Sequence, residues 1–187
     1  TNNLKKLKNK KYSKFVKLIK GGKERSDSSL LALKYLKKFK PKNVLIHDAA
    51  RPNFSVKLLK NLINNLKKNK AVVPVVGSND SIKYKINSRL YNINRKNSYL
   101  TQTPQAFKYK DLYHLSIKQK NKPTDEATLF IDNDYKIKFI KGENKNYKIT
   151  FKDDANVPKT YYGIGFDIHK LIKRKKLFLG GIKIPFH

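Results

Sequence analysis

A glycine turn that leads into a helix start is one pattern in this chain that could do chemistry. Gly21 and Gly22 precede Arg25, and the segment Ser26–Ser29 supplies hydroxyl and carboxylate groups of the kind that cap helices. The backbone N–H groups and the dipole at a helix start suit a phosphate group or the polar edge of a base. The same residues are equally typical of an ordinary strand-to-helix connection, and the pattern alone leaves both interpretations open.

A carboxylate and an arginine follow a short apolar strand in the segment His47–Pro52. In open α/β sheets, ligands gather at the carboxyl ends of strands, so Asp48 is placed where it could hold a Mg²⁺ ion that bridges phosphate oxygens. Ala49 leaves room for a ligand against the backbone, and Arg51 could bind a phosphate through two N–H groups. The alternative is an aspartate that caps the next turn, beside a surface arginine.

Asp167 and His169 form a third candidate pair near the carboxyl end of the chain. They are two residues apart on a predicted strand that begins near Tyr161, so both side chains would leave the same face and could bind one divalent ion. An isolated Asp-x-His pattern is common. An ordinary edge strand explains it equally well.

The elements that would position these residues alternate between strands and helices. Helices are predicted after Ser29, with Leu30, Leu33 and Leu36 on its apolar face, and after Ser55, with Leu59, Leu62, Ile63 and Leu66 at helical spacing. A lysine-rich segment over Thr1–Phe15 is predicted as a surface helix. Strands are predicted at Phe15–Ile19, Val44–Ile46 and Ala71–Val76. This order predicts an α/β fold with a Rossmann-like, mostly parallel sheet.

The pattern changes after residue 80 to short alternating segments. Ile82–Ile86 and Leu90–Ile93, joined by a polar turn at Asn87-Ser88, predict a β-hairpin that projects from the body. Helices near Lys110–Lys118 and from Thr124-Asp125-Glu126 onward, and a strand at Ile137–Ile140, then restore the α/β order. We expect two domains, over residues 1–155 and 161–187, with residues 156–160 as the linker between them.

Composition limits the classes of protein. The 187 residues include 44 Lys+Arg and 13 Asp+Glu, for a formal charge of +31, and no cysteine. Thiolate zinc sites and disulfide scaffolds are therefore excluded, and no apolar run has the roughly 18–20 residues of a membrane span. Only five of the basic residues are arginine, so compositional drift toward lysine competes with a selected surface for polyanions.

Six sequence blocks, taken in order, closely resemble one known family, the 2-C-methyl-D-erythritol 4-phosphate cytidylyltransferases of isoprenoid precursor biosynthesis. The blocks are GGKERSDSS (21–29), VLIHDAARP (44–52), VPV (73–75) with NDSIK (79–83), NRK (94–96) with TQTPQAF (101–107), TDEA (124–127) and NYKIT (146–150). Their order and spacing are hard to obtain by chance, and the resemblance covers about Phe15 to Asp154.

The resemblance implies a nucleotidyltransferase domain that moves CMP from CTP to 2-C-methyl-D-erythritol 4-phosphate and releases pyrophosphate, with Mg²⁺ as cofactor. It implies catalytic roles for Asp48, Arg95 and Lys148, nucleotide binding by Gly22, Arg25, Ser28, Asp48 and Ala49, and the metal position at Asp48. It implies that the phosphorylated acceptor is bound by Arg51, Ser81, Arg95, Thr103, Thr124 and Lys148. In this family the hairpin arm crosses to a second subunit, which implies a dimer in which Arg51, Ser81 and Arg95 serve the partner's site.

Residues 161–171 (YYGIGFDIHKL) and 177–186 (LFLGGIKIPF) resemble the opening of 2-C-methyl-D-erythritol 2,4-cyclodiphosphate synthase, a lyase that releases CMP. This implies a second, α+β domain whose first strands are present, assembly as a trimer through that domain when complete, and Asp167 and His169 as ligands of Zn²⁺ or another divalent metal. The family's third ligand, a later histidine, and the glycine-rich loop that binds the CTP triphosphate do not match any segment here. We therefore expect an internal part of a bifunctional cytoplasmic enzyme, without cytidylyltransferase activity of its own.

Two rival functions remain at this point. A basic nucleic-acid-binding module predicts positive charge gathered on one face and steeply salt-dependent binding. A sugar-nucleotide transferase of related fold would use another base and another acceptor. The leading hypothesis further predicts that Asp48 lies at the carboxyl end of a central parallel strand, with Gly22 and Ser28 in the same cleft. It also predicts that Tyr84, Ile86, Leu90 and Ile93 on the hairpin are poorly covered in a monomer.

Overall fold

The computed structural model describes residues 16–119, 122–152 and 154, together with the strands Leu177–Leu179 and Ile182–Ile184. In chain order the helices are α1 (Arg25–Leu36), α2 (Val56–Leu66), α3 (Tyr109–Lys118) and α4 (Glu126–Ile131), with 3₁₀ turns at Lys37–Phe39 and Arg95–Asn97. The strands are β1 (Asn43–Ile46), β2 (Ala71–Gly77), β3 (Lys83–Ile86), β4 (Arg89–Asn92), β5 (Tyr99–Thr101), β6 (Gln105–Lys108), β7 (Ile137–Lys141), β8 (Leu177–Leu179) and β9 (Ile182–Ile184). The predicted α/β fold is confirmed.

The main sheet is organised around β2. Strand β7 pairs with β2 in parallel, from Ala71 opposite Ile137 to Val75 opposite Lys141. On the other edge of β2, β6 and then β5 run antiparallel to it, and β1 pairs antiparallel with β6. Strands β1, β2 and β7 therefore share one direction, as expected of strands joined through helices, while β6 lies between β1 and β2 in the opposite direction.

The core has two parts, one on each face of this sheet. Neighbouring residues of a strand point to opposite faces, and Phe107 belongs to one cluster while Ala106 belongs to the other. Helix α2 covers one face through Leu58, Leu62 and Leu66. The other face is covered by α1, α3 and α4, whose buried core residues are Leu33, Leu112, Leu115, Leu129 and Phe130.

The starts of α1 and α2 show one wrong and one correct prediction. Helix α2 follows Ser55 as predicted, and the Ser55 side chain caps it by accepting a hydrogen bond from Leu58 N, an arrangement that contributes about 1 kcal/mol. Helix α1 begins at Arg25, earlier than predicted, and its N-cap is Glu24 in a reciprocal pair with Asp27. The predicted strand at Phe15–Ile19 is also wrong over its described part, since residues 16–20 form no regular secondary structure.

The predicted hairpin is confirmed as the ribbon β3–β4, which we call the arm. Its turn residues Asn87 and Ser88 have positive φ angles of 46° and 69°, the combination that matches the twist of a two-residue hairpin. Tyr84 lies opposite Tyr91, with ring centroids 5.2 Å apart. The large apolar side chains of the arm are exposed, as predicted; they are Tyr84, Ile86, Leu90, Tyr91 and Ile93.

The register of the arm divides these residues between its two faces. Cross-strand partners share a face, so Tyr84 and Tyr91 lie together with Ile86, and the bond from Ile93 N to Ile82 O extends that face by one more pair. Leu90 lies opposite Lys85 on the other face. One face of the arm is therefore mainly apolar, with Arg89 opposite Ile86 at its end, and Leu90 does not belong to it.

Beyond residue 154 the structure describes one antiparallel pair, β8–β9, in which Phe178 lies opposite Lys183. The predicted surface helix at the amino end, the linker 156–160, and the metal pair Asp167 and His169 lie outside the described residues. Within the described part of the chain, none of the helices combines the length and the apolar character that a bilayer crossing needs.

Candidate functional site

A break between β5 and β6 creates the cleft that holds the candidate site. Gln102 N still bonds to Pro74 O, but the pairing with β2 shifts by two residues across Gln102–Pro104, as in a bulge. Because Ile46 at the end of β1 lies opposite Gln105, the loop after β1 reaches this break. Asp48 N donates to Thr103 Oγ1 at 3.0 Å, which fixes the loop there.

Thr103 also orders the same loop through His47. Its Oγ1 lies 3.1 Å from His47 Nδ1, and His47 Nε2 lies 3.0 Å from Arg51 O. The imidazole thus bridges the Thr103 hydroxyl and the Arg51 carbonyl, which agrees with a structural role for His47.

A later segment closes the cleft from the other side. Ile149 N donates to Ala50 O at 2.8 Å, and Arg51 Nη1 donates to Asn146 O at 2.8 Å. Asn146 is fully buried, and its side chain donates to Thr103 O at 2.9 Å. These bonds bring Lys148 beside the loop that carries Asp48.

Three cationic side chains surround the Asp48 carboxylate. Its Oδ1 lies 3.5 Å from Arg25 Nε, and its Oδ2 lies 3.6 Å from Lys148 Nζ and 3.9 Å from Arg51 Nε. Asp48 remains accessible, with 21 % of its side chain exposed. Burial lowers the pKa of Arg51 below its ordinary value, and the nearby charge of Asp48 only partly opposes that effect.

Arg25 has a second and closer partner in Glu126, the first residue of α4. Its Nη1 and Nη2 donate to the two carboxylate oxygens at 3.0 and 2.6 Å. Burial acts to lower the pKa of Arg25, but the hydrogen bonds and charge of Glu126, with a smaller contribution from Asp48, outweigh it and leave that pKa raised.

Asp125, the N-cap of α4, is held by hydrogen bonds on both oxygens. Oδ1 accepts from Thr128 N at 3.0 Å and Thr128 Oγ1 at 2.8 Å. Oδ2 accepts from Gln105 Nε2 at 2.8 Å and Thr101 Oγ1 at 3.0 Å. Burial acts to raise the pKa of Asp125, but these hydrogen bonds together outweigh it and lower the pKa.

The resulting cleft has a volume of about 150 Å³. Its walls carry three basic and two acidic side chains together with hydroxyl and amide groups: Arg25, Asp48, Arg51, Thr101, Thr103, Gln105, Thr124, Asp125 and Lys148. Glu126 behind Arg25 supplies a third carboxylate, so the charges balance. Such a set can bind a polar anionic ligand through arginine and lysine, and a cation through Asp48.

The structure brings together six of the residues that the sequence singled out. Arg25, Asp48, Arg51, Thr103, Thr124 and Lys148 all line the cleft. Gly22 and Ser28 lie in the adjoining turn and do not line it: Gly22 N donates to Ser28 Oγ at 3.0 Å, and Ser28 Oγ donates to Glu24 O. Ala49 is exposed on the loop after Asp48.

Ser81 and Arg95 lie apart from the cleft, at the base of the arm. Arg95 Nη1 donates to Asn79 O at 3.0 Å, and Ser81 Oγ accepts from Lys83 Nζ at 2.9 Å. The expectation that Asp48 follows a central parallel strand is wrong within the described residues, because there β1 pairs with β6 alone, and antiparallel.

Sequence reasoning did not assign Glu126, Asp125, Gln105 or Thr101 to the site. The first two stand in the motif Thr124–Ala127, where they could equally be acidic residues that favour a helix start. The available signal was the combination of an arginine in a lysine-rich chain with a glutamate inside an apolar block. The contact between Arg25 and Glu126 joins residues that are 101 positions apart in sequence, which no local pattern shows.

Two larger cavities lie elsewhere. One of about 370 Å³ lies between the end of α3 and α4, and one of about 530 Å³ lies against β2, β5 and β7 with mainly apolar walls. Apart from Thr124, none of the residues singled out from the sequence lines either cavity. The smaller cleft is the candidate site because the charged groups converge there.

Comparisons with known proteins identify the family of this chain. The family model for IspD, 2-C-methyl-D-erythritol 4-phosphate cytidylyltransferase, matches residues 1–162. The chain belongs to the IspD family. Among curated relatives, it is 48% identical over 186 residues to the bifunctional enzyme IspD/IspF of Pelagibacter ubique, covering 95% of this chain and 50% of that protein. A second such enzyme, from Wolbachia pipientis wMel, is 36% identical over 173 residues and is covered to 43%.

Solved structures place this IspD-family chain in the same fold. It superposes on 4-diphosphocytidyl-2C-methyl-D-erythritol synthase from Anaerococcus prevotii with a TM-score of 0.71 and 33% identity, over 82% of this chain and 70% of that one. For the bifunctional IspDF from Campylobacter jejuni, the TM-score is 0.68 and the identity 30%, over 98% of this chain and 49% of that one. The chain thus spans about half the length of the bifunctional relatives that it matches.

Proposed function

We propose that this chain supplies the cytidylyltransferase domain of a bifunctional enzyme of the methylerythritol phosphate pathway. The reaction transfers CMP from CTP to 2-C-methyl-D-erythritol 4-phosphate and releases pyrophosphate. The observation that carries the proposal is the convergence of Arg25, Asp48, Arg51 and Lys148 in one cleft, since these residues come from three separate segments of an IspD-family chain.

The chemistry needs no protein nucleophile. A phosphate oxygen of the acceptor attacks the α-phosphorus of CTP, a new P–O bond forms there, and the bond to the β-phosphate oxygen breaks. Rate enhancement then depends on holding two anions together and stabilising the charge that develops on phosphate oxygens. Arg51, on the loop that carries Asp48, and Lys148, beside that loop, are suited to that task.

The donor set fits a single Mg²⁺ ion. Of the three carboxylates at the cleft, Asp125 is saturated by hydrogen bonds and Glu126 is paired with Arg25, which leaves Asp48 to hold a cation. No cluster of three or more potential metal ligands occurs within the described residues, but Mg²⁺ typically binds one or two carboxylates together with phosphates and water. When bound, the ion would supply charge neutralisation at the phosphates.

We propose that the arm serves a dimer. The mainly apolar face formed by Tyr84, Ile86, Tyr91 and Ile93 is exposed, and an exposed face of this kind on a two-stranded ribbon is typical of an interface. The position of Ser81 and Arg95 at the base of the arm supports a role in the partner's cleft rather than in their own.

For the carboxyl-terminal part we propose the start of a cyclodiphosphate synthase domain, from residue 161 onward after the linker 156–160. The support is the resemblance of residues 161–186 and the bifunctional names of the relatives. Asp167 and His169 would be its first Zn²⁺ or other divalent metal ligands. A cytoplasmic location is proposed with it, because CTP is an intracellular metabolite.

The test measures pyrophosphate release from CTP with and without methylerythritol phosphate. It compares the 187-residue chain with a joined enzyme, in which the flanking segments of the Pelagibacter ubique relative are attached to this chain. We expect acceptor-dependent release by the joined enzyme. A folded joined enzyme that releases pyrophosphate only with another acceptor, or not at all, would contradict the proposal.

A further inference from the structure

One guanidinium group in the cleft is shared between two carboxylates. Arg25 makes two short hydrogen bonds to Glu126, at 2.6 and 3.0 Å, and a longer contact of 3.5 Å to Asp48. Only 3 % of the Glu126 side chain is exposed, whereas 34 % of the Arg25 side chain remains accessible. The two carboxylates therefore differ: Glu126 is a buried support, and Asp48 faces the cleft.

The number of N–H donors on Arg25 shows how many remain for a ligand once Glu126 is bound. A guanidinium group carries five N–H groups. Glu126 takes one N–H from each terminal nitrogen, and a fork with two such bonds fixes the plane of the group. Three N–H groups remain, of which Nε–H faces Asp48, and the other two are available to a ligand in the cleft.

Without Glu126, Arg25 would have one anionic neighbour left. Asp48 already has Lys148 Nζ at 3.6 Å and Arg51 Nε at 3.9 Å from Oδ2. An unrestrained Arg25 would move onto Oδ1, and Asp48 would then be enclosed by three cations. The Glu126 pair thus keeps Arg25 on the cleft wall and keeps one side of Asp48 open.

We propose that Glu126 is a positioning residue for nucleotide binding, which acts by holding the Arg25 guanidinium in the orientation that a nucleotide requires. This inference rests on the proposed function, because it takes CTP as the ligand of Arg25. The competing explanation is a purely structural ion pair that connects α1 to α4. The two explanations differ in what happens to ligand affinity in protein that remains folded.

The experiment compares Glu126→Gln with Glu143→Gln in the joined enzyme, which includes the flanking segments. Glu143 is a matched control, because it also accepts hydrogen bonds through both oxygens, from Ser55 N at 3.0 Å and from the Ser55 hydroxyl, yet does not line the cleft. CTP affinity is measured by calorimetry with Mg²⁺ present. We expect Glu126→Gln to weaken CTP binding by about tenfold, the effect of losing one charged hydrogen-bonding arrangement. Glu143→Gln should leave CTP affinity unchanged.

A spectroscopic readout tests the orientation of Arg25 without any ligand. The chain has only five arginines, so its Nε–Hε NMR signals are few, and the Arg25→Lys variant identifies the signal of Arg25. We expect this signal to be shifted and sharp in the wild type and to move toward the position of exposed arginines in Glu126→Gln. In addition, Glu126→Gln should cause little further loss of affinity when Arg25 is already lysine.

The outcomes separate the two proposals. If the joined wild-type enzyme does not bind CTP, the proposed function fails, and the Arg25 signal of the 187-residue chain still decides the positioning. If Glu126→Gln lowers the melting temperature but leaves both the CTP affinity and the Arg25 signal unchanged, the pair is structural and the inference is wrong. Should Glu126→Gln fail to fold, Glu126→Asp keeps the charge on a shorter side chain and should give an intermediate affinity.

Discussion

The cleft and the arm differ in how their charged and apolar groups are paired. In the cleft, Arg25, Arg51 and Lys148 face three carboxylates, and backbone or side-chain hydrogen bonds fix most of these groups. Between Ser81 and Arg95, four basic residues occur without any acidic residue, and large apolar side chains are exposed. The cleft is therefore held in shape by contacts within one chain, whereas none of the residues that the structure describes covers the apolar face of the arm.

This difference divides the residues that the family resemblance implied. Six of them converge in the cleft, while Ser81 and Arg95 lie at the base of the arm. We infer that the two groups serve the reaction by different routes: the first within its own chain, the second through assembly. Variants in each region should accordingly change different measurements.

The largest effect is expected for Asp48→Asn in the joined enzyme. Loss of the charge should lower turnover by about 10²–10³-fold, as for the removal of one electrostatic group from an active site, while the free energy of unfolding changes little. Steady-state pyrophosphate release measures the first quantity and urea denaturation the second. Asp132→Asn, which removes an exposed carboxylate outside the cleft, serves as the control. Equal turnover of both variants would remove Asp48 from the mechanism.

The next effect is expected for variants of the arm, which should change the dissociation constant of the dimer. The double variant Tyr84→Ser/Ile86→Ser removes two apolar side chains from the proposed interface. Each buried side chain of this size contributes about 1.5–3 kcal/mol, so the dimer dissociation constant should rise at least about 100-fold. Sedimentation of the chain over a range of concentrations measures it.

The control for the arm is Leu90→Ser, which changes an exposed apolar residue on the opposite face. It should leave the dissociation constant nearly unchanged. An equal effect of both variants would show that the apolar face is not the interface, and a wild-type chain that stays monomeric at high concentration would count against the dimer of this chain.

Next in size is Gly22→Ala, in the turn beside the cleft. A Cβ atom at Gly22 would lie 2.2 Å from Asp27 Cβ, and Asp27 belongs to the capping pair of α1. The turn must shift, so the free energy of unfolding should fall by about 1–3 kcal/mol. Gly77→Ala, near the start of the arm, is the matched control, because nothing lies within 4 Å of its added Cβ. Urea denaturation should show little change for Gly77→Ala, and similar losses in both would contradict the steric explanation.

The smallest effect is expected for Asp125→Asn, and it depends on pH. Because the pKa of Asp125 is lower in the folded protein, its charge stabilises the fold above the unfolded value of about 3.9, and that contribution is lost as the pH falls through the folded pKa. At pH 7 the substitution should lower the free energy of unfolding by about 1 kcal/mol. The difference from the wild type should shrink as the pH falls below the unfolded value and through the folded pKa, and a constant difference would contradict this account.

Local patterns predicted what local interactions determine. The helix after Ser55 was predicted from its apolar spacing, and the turn at Asn87-Ser88 was predicted from polar residues between two alternating segments; both are present. The exposure of Leu90, Tyr84 and Ile86 was predicted correctly. That Leu90 lies on the opposite face of the arm depends on the strand register, which the exposure prediction does not contain. The start of α1 was missed because Glu24 and Asp27 cap each other reciprocally, while the neighbouring serines gave a stronger capping pattern.

Long-range pairing could not be predicted in the same way. Strand β6 lies between β1 and β2 although it follows β2 by almost thirty residues, and the hydrophobic pattern of β6 does not specify which neighbours it chooses. The partnership of Arg25 with Glu126 is of the same kind. Six of the cleft residues were predicted through the family resemblance, and their mutual geometry required the structure.

The hydroxyl group of Thr103 has a direction that limits what it can offer a substrate. Arg51 O can only accept, so the proton of His47 must be on Nε2, and a neutral imidazole then leaves Nδ1 as an acceptor. The Thr103 hydroxyl already accepts a hydrogen bond from Asp48 N, so it donates its own hydrogen to His47 Nδ1. One lone pair of the Thr103 hydroxyl oxygen remains. Toward the cleft, Thr103 can therefore accept a hydrogen from an alcohol of a polyol substrate, but it has none left to donate to a phosphate oxygen.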